Sequence, residues 1–99
     1  NSRPWLGRDL NNQEDEEEKE ADGSPMLTNR FLREMIKKEP KKYYRTPWLN
    51  DKLFLHFKGF HYIRNMEQFT DLKCVYFESN GLRSLKGLEE NRMMLSLFV

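Results

Sequence analysis

Cysteine is almost missing from this sequence, with Cys74 standing alone. One thiol can build neither a disulfide framework nor a cysteine metal set, so a reducing compartment is the expectation. Apolar runs are short, and none approaches the roughly 20 residues that a membrane-crossing helix needs. No secretory signal pattern precedes the charged start, although the chain begins at Asn1 rather than Met, and the absence of an Asn-x-Ser/Thr glycosylation acceptor is in keeping with an intracellular protein. A membrane is not an expected partner. Histidine is scarce as well. His56 and His61 are five residues apart and share no helical metal-binding spacing with the carboxylates around them. The stretch Gly81-Leu-Arg-Ser-Leu-Lys-Gly87 has two glycines but not the order of a phosphate-binding loop. With no catalytic set, metal set or cofactor motif, the sequence predicts a non-enzyme.

What is present is a period. Leu72, Val75, Phe77, Asn80, Leu82, Leu85 and Leu88 follow the order L-x-x-L-x-L-x-x-N-x-L of one leucine-rich-repeat turn. Val75 and Phe77 are two apart, so in a strand they point the same way, into a core. Asn80 can bond backbone groups as the chain turns, and Gly81 supplies a permissive φ. Leu82, Leu85 and Leu88 recur every third residue, which suits a short return segment on the same core. Sliding back 22 residues sets Leu53, Leu55, Gly59, Phe60, Ile63 and Met66 opposite Val75, Phe77, Gly81, Leu82, Leu85 and Leu88. Sliding forward sets Met94, Leu97 and Val99 opposite Leu72, Val75 and Phe77. A hairpin through Asn80-Gly81 accounts for residues 72–88 but leaves the match at 53–66 unexplained. The fold class expected is an α/β solenoid of leucine-rich repeats, about two and a half of them, with an N-terminal capping helix and an acidic, disordered or extended tail before it. The repeats are placed at 48–69, 70–91 and an incomplete 92–99, and the chain reads as a fragment of a longer protein.

Charge is distributed in blocks. Residues 1–25 carry three basic and eight acidic side chains, residues 26–48 seven and two, and residues 49–99 seven and six. The overall +1 therefore conceals an acidic tail and a basic cap. The tail, residues 1–25, includes the run Glu14-Asp-Glu-Glu-Glu18-Lys-Glu20, which repels itself and has no apolar face. Trp5 and Leu6 in it are either a short docking anchor or stray exposed residues. Residues 26–47 form the expected cap and linker. Leu27, Phe31, Leu32, Met35 and Ile36 make one apolar stripe of a helix over 26–39, with Ser24 or Thr28 as the cap and Pro40 as the stop. The linker interleaves Lys41, Lys42 and Arg45 with Tyr43, Tyr44 and Trp48. That mixture can bind nucleic acid, or it can be a solvated basic edge with its aromatics tucked against the helix. A chain this close to neutral is not a typical nucleic-acid binder, so an acidic protein surface is the better expectation.

Function is expected on the strand face opposite the core. Phe54, Tyr76 and Phe98 alternate with the inward residues and share one register, so they should stack as an aromatic ladder on the exposed concave side. His56 and Glu78 form the next column, and Lys52, Cys74 and Ser96 the one before. An exposed aromatic run in a polar chain (33% charged, mean hydropathy −0.91) points to a protein-binding surface, the alternative being a face covered by further chain or by a terminal segment.

Several strings go beyond generic spacing. Phe31-Leu-Arg33, Tyr44-Arg-Thr-Pro47-x-Leu49-Asn-Asp51, Leu53-Phe-Leu-His-Phe-Lys-Gly-Phe60, Ile63-Arg-Asn-Met66-Glu, and Leu72-Lys-Cys74 with Glu78-x-Asn80-Gly81 resemble the cap and first repeats of the leucine-rich-repeat dynein axonemal assembly factors. The resemblance covers roughly residues 30–99. It implies a non-enzymatic scaffold that helps assemble axonemal dynein arms, acting in the cytoplasm and at the cilium or flagellum. Its implied partners are axonemal dynein chains, assembly chaperones or other axonemal components. Two alternatives stay open, an axoneme-resident structural part bound to dynein or tubulin, and a phosphatase-regulatory subunit of the same repeat class.

Overall fold

In the computed structural model, residues 18–99 are described. Trp5, Leu6 and the rest of residues 1–17 lie outside them. Helix α1 spans Asn29–Lys38 and is followed by a 3₁₀ turn at Pro47–Leu49. Three short strands come next, β1 Lys52–Phe54, β2 Cys74–Tyr76 and β3 Ser96–Phe98. They form one parallel sheet in the order β1-β2-β3, with Leu53 paired to Val75 and Val75 to Leu97. Each step to the next strand is therefore 22 residues, and each of the segments 48–69, 70–91 and 92–99 contributes one strand.

The turns between strands repeat bond for bond. The N–H groups of Asn50, Leu72 and Met94 donate to the carbonyls of Pro47, Phe69 and Asn91 respectively. Lys73 and Cys74 both donate to the Asp51 carbonyl, as Leu95 and Ser96 do to that of Lys73. Left-handed backbone recurs on the same period, at Phe57 and Ser79, Gly59 and Gly81, Asn65 and Gly87. A hairpin at Asn80-Gly81 is not what forms, because β2 pairs in parallel with both neighbours.

Apolar side chains of the two turns meet inside. Leu53, Leu55, Phe60, Ile63, Leu72, Val75 and Phe77 are all buried. Leu82 and Leu88 pack against this core while half-exposed, but Leu85 is 62% exposed, against the sequence expectation. Its counterpart Ile63 is covered by the second turn, where Gly87 comes so close that a Cβ there would collide with the Ile63 carbonyl. No described residue does the same for Leu85.

Helix α1 closes the other end. Its Leu32, Met35 and Ile36 are buried, and Phe31 meets Phe60 edge-on at 5.1 Å. It starts later than the apolar stripe suggests because Thr28 is the cap, its hydroxyl accepting from the Phe31 N–H at 3.0 Å. Ser24, the other candidate, is bonded to Asp22 instead. Lys37 and Lys38 fall in the last turn, where the helix dipole favours cations.

The boundary placed at residue 25 falls inside a local turn. Residues 18–26, expected as the end of a disordered or extended acidic tail, form a closed turn. Glu20 N–H donates to the Ser24 carbonyl, Gly23 N–H to that of Glu20, and Met26 N–H to that of Glu18. Acidic composition concealed this because two of the carboxylates have cationic partners far along the chain.

Candidate protein-binding face

Strand alternation sends Phe54, Tyr76 and Phe98 to the side of the sheet away from the core. Parallel, in-register pairing then sets like beside like. Phe54 and Tyr76 stack with centroids 4.8 Å apart and planes 6° from parallel, and Tyr76 and Phe98 stack at 4.8 Å and 4°. The separation is that of neighbouring strands, so backbone pairing sets the ring spacing. At the capped end, Tyr43 packs against Phe54 at 6.4 Å and the Lys42 ammonium sits 4.6 Å over the Phe54 ring. Phe54 and Tyr76 are half-buried as a result, and Phe98 is 43% exposed.

The neighbouring columns have distinct chemistry. Cys74 and Lys52 are paired in register, with Ser96 next. The neighbouring Cys74 side chain pushes the Tyr76 phenol above its usual range, with desolvation and then the Glu78 charge adding to it. On the other side His56 makes an edge contact with Phe57 at 5.5 Å, and Glu78 is half-buried. Glu78 Oε1 is out of contact with solvent and has no hydrogen-bond partner among the described residues. A desolvated carboxylate oxygen without a donor is costly, and a cation or N–H from elsewhere would relieve it. Phe57, 74% exposed, adds a further ring at a left-handed φ of 56°. Exposure and strain together mark it, although spacing alone places it outside the ladder.

Asparagines hold this face to the cap and turns. Asn80 Oδ1 accepts from the N–H of Lys58 at 2.7 Å and of Phe60 at 3.2 Å, and its Nδ2 donates to the carbonyls of Leu55 and Phe77. Asn50, at the Leu72 register, ties the linker down by accepting from Tyr44 N–H and donating to the carbonyls of Tyr44, Thr46 and Pro47. Asn91 stands where the period calls for an apolar side chain. It is buried nonetheless, because its Nδ2 donates to the carbonyls of Met66 and Phe69 one turn back.

The linker aromatics divide. Tyr43 is buried, with its hydroxyl accepting from Phe54 N–H at 3.2 Å, and burial raises its pKa. Tyr44 and Trp48 are exposed. A shallow cleft of about 310 Å³ lies between this linker and the strand starts, lined by Tyr44, Leu49, Asp51, Asp71, Lys73 and Met93. Among the described residues no group of three or more His, Cys, Asp or Glu is placed to hold a metal ion, and no helix is long and apolar enough to cross a membrane.

A parallel sheet stepping by 22 residues, with an apolar interior and an aromatic outer face, describes a small α/β repeat unit. Over 64 residues, 65% of this chain, the sequence is 45% identical to the Dynein axonemal assembly factor 1 homolog of Drosophila erecta. Over 55 residues, 56% of the chain, it is 47% identical to Dynein axonemal assembly factor 1 of Rattus norvegicus. The resemblance to the dynein axonemal assembly factors thus holds across more than half of the chain. The aligned stretch spans 4% and 8% of the length of those two relatives. No family model and no solved structure matches the chain.

Proposed function

We propose that the 22-residue turns are leucine-rich repeats of an α/β solenoid capped by α1, and that the chain is a non-enzymatic protein-binding scaffold in the assembly of axonemal dynein arms. The observation that carries this reading is the ladder of Phe54, Tyr76 and Phe98, stacked at 4.8 Å on the sheet face away from the core. Aromatic side chains concentrated on a rigid sheet supply binding energy at little entropic cost. Beside them, the Glu78 oxygen that has no partner among the described residues suits a lysine or arginine of the bound chain. The relatives are named for axonemal dynein assembly, which supports a role in that process. Dynein chains as the cargo, with assembly chaperones as accompanying partners, are part of what we propose. On this reading the protein works in the cytoplasm and follows its cargo to the cilium or flagellum.

The experiment is to separate cilia from cytoplasm, wash the axonemes with salt, and probe each fraction for this chain. A cytoplasmic, salt-extractable pool that carries dynein chains is the expected outcome. Retention on washed axonemes with no cytoplasmic pool would overturn the assembly role and make the chain a resident part of the axoneme.

A further inference from the structure

The return segments of the two turns carry basic residues at equal register. His61 and Arg83 are 22 apart, and so are Arg64 and Lys86. The Arg83 N–H donates to the His61 carbonyl at 2.8 Å, which holds the two turns in line. Residues 18–26 lie along this basic column and meet it through carboxylates. Glu20 accepts two hydrogen bonds from Arg64, from Nε at 2.6 Å and from a terminal nitrogen at 2.7 Å. Asp22 Oδ2 lies 2.9 Å from His61 Nδ1 and 3.5 Å from Arg83 Nε.

We propose that His61, Arg64, Arg83 and Lys86 form a binding site for an acidic peptide segment of a partner protein, filled in cis by residues 18–26 as a displaceable stand-in. Three observations point there. The Glu20 carboxylate is engaged by the planar, two-pronged geometry with which arginine recognises a carboxylate, and its side chain is only 4% exposed. The backbone hydrogen bonds of the 18–26 turn close within that turn, so release of its two acids frees it without breaking the sheet. The cations stay partly in water, with the Arg64 side chain 47% and that of Arg83 61% exposed, so a competing acidic segment can reach them while residues 18–26 are still in place. Lys86 continues the column by one turn beyond Arg64, so a ligand with carboxylates over a longer stretch reaches a charge that Glu20 and Asp22 do not. The recognised pattern is a pair of acids two residues apart, as in Glu20-Ala21-Asp22.

The test uses a fluorescent glutamate-rich 13-residue peptide, the whole chain, and a Glu20→Gln/Asp22→Asn variant. The variant should bind the peptide about tenfold more tightly than the unchanged chain, as expected if the stand-in fills the site roughly nine-tenths of the time. Adding Arg64→Gln should abolish the gain, and salt should weaken the binding. A second measurement needs no variant: saturating peptide should speed hydrogen exchange at the Glu20 and Met26 amides and leave Leu55 and Phe77 unchanged. Equal affinity of the two chains, binding that survives Arg64→Gln, or Glu20 and Met26 amides indifferent to peptide would each overturn the proposal.

Discussion

Asn80 joins two successive turns through four hydrogen bonds made from a site only 4% exposed. Removing its amide leaves the N–H groups of Lys58 and Phe60 and the carbonyls of Leu55 and Phe77 without it, three of these four bonds being buried, and a buried group left unpaired is the costly case. Asn80→Ala should therefore destabilise the chain by about 3 kcal/mol in urea unfolding. Asn91→Ala should cost less, since the Asn91 Oδ1 serves no donor among the described residues. Two glycines separate conformational cost from close approach. Gly23 at φ 88° and Gly87 at φ 119° are both left-handed, but a Cβ on Gly23 meets nothing within 4 Å, whereas one on Gly87 runs into Ile63. Gly23→Ala should cost about 1–2 kcal/mol from the backbone alone. Gly87→Ala should exceed it clearly. Equal losses would mean that the turns are not packed as tightly as the structure has them.

At the scale of elements, the acidic turn of residues 18–26 is the pH-dependent part. Glu20 is held below the ordinary glutamate range, first by its hydrogen bond to Arg64, and Asp22 well below that of aspartate, first by His61 and then by Ser24. A carboxylate depressed on folding contributes stability above its unfolded pKa and loses it as pH falls through the folded value. Acidification below about pH 5 should therefore lower the urea midpoint of the native chain, and Glu20→Gln/Asp22→Asn should flatten that dependence. This turn is also where sequence reading fell short. Like charges in a row read as a solvated tail, and nothing local says that Arg64 lies 44 residues on but in contact. Other elements were legible for physical reasons. The stripe of Leu32, Met35 and Ile36 marks α1 because helical periodicity survives any tertiary context. The strands were legible because Leu53, Val75 and Leu97 keep a spacing that only a regular repeat explains. The burial of Asn91, at a position where the period calls for an apolar side chain, was not legible, since it depends on the distant Met66 and Phe69 carbonyls that its amide meets.

For the whole molecule, the same 22-residue step that buries leucines brings the aromatic rings into a stack, so core and candidate site are products of one period. Ladder membership of Phe54, Tyr76 and Phe98 could be read from alternation. The shielding of Phe54 by Tyr43 and Lys42 could not, because it depends on how the linker folds back. The uncovered Leu85 differs from its buried counterpart Ile63 only through what packs above it. The proposed binding of dynein chains by the ladder face is tested most directly by comparing how much axonemal dynein heavy chain co-purifies from ciliated-cell cytoplasm with the native chain and with a Phe54→Ala/Tyr76→Ala variant, sheet integrity being checked by amide exchange at Leu55 and Phe77. Truncation of two central aromatic anchors should reduce the dynein recovered by roughly tenfold or more while the sheet stays protected. Undiminished recovery with the variant would contradict the account and move the binding surface elsewhere on the molecule.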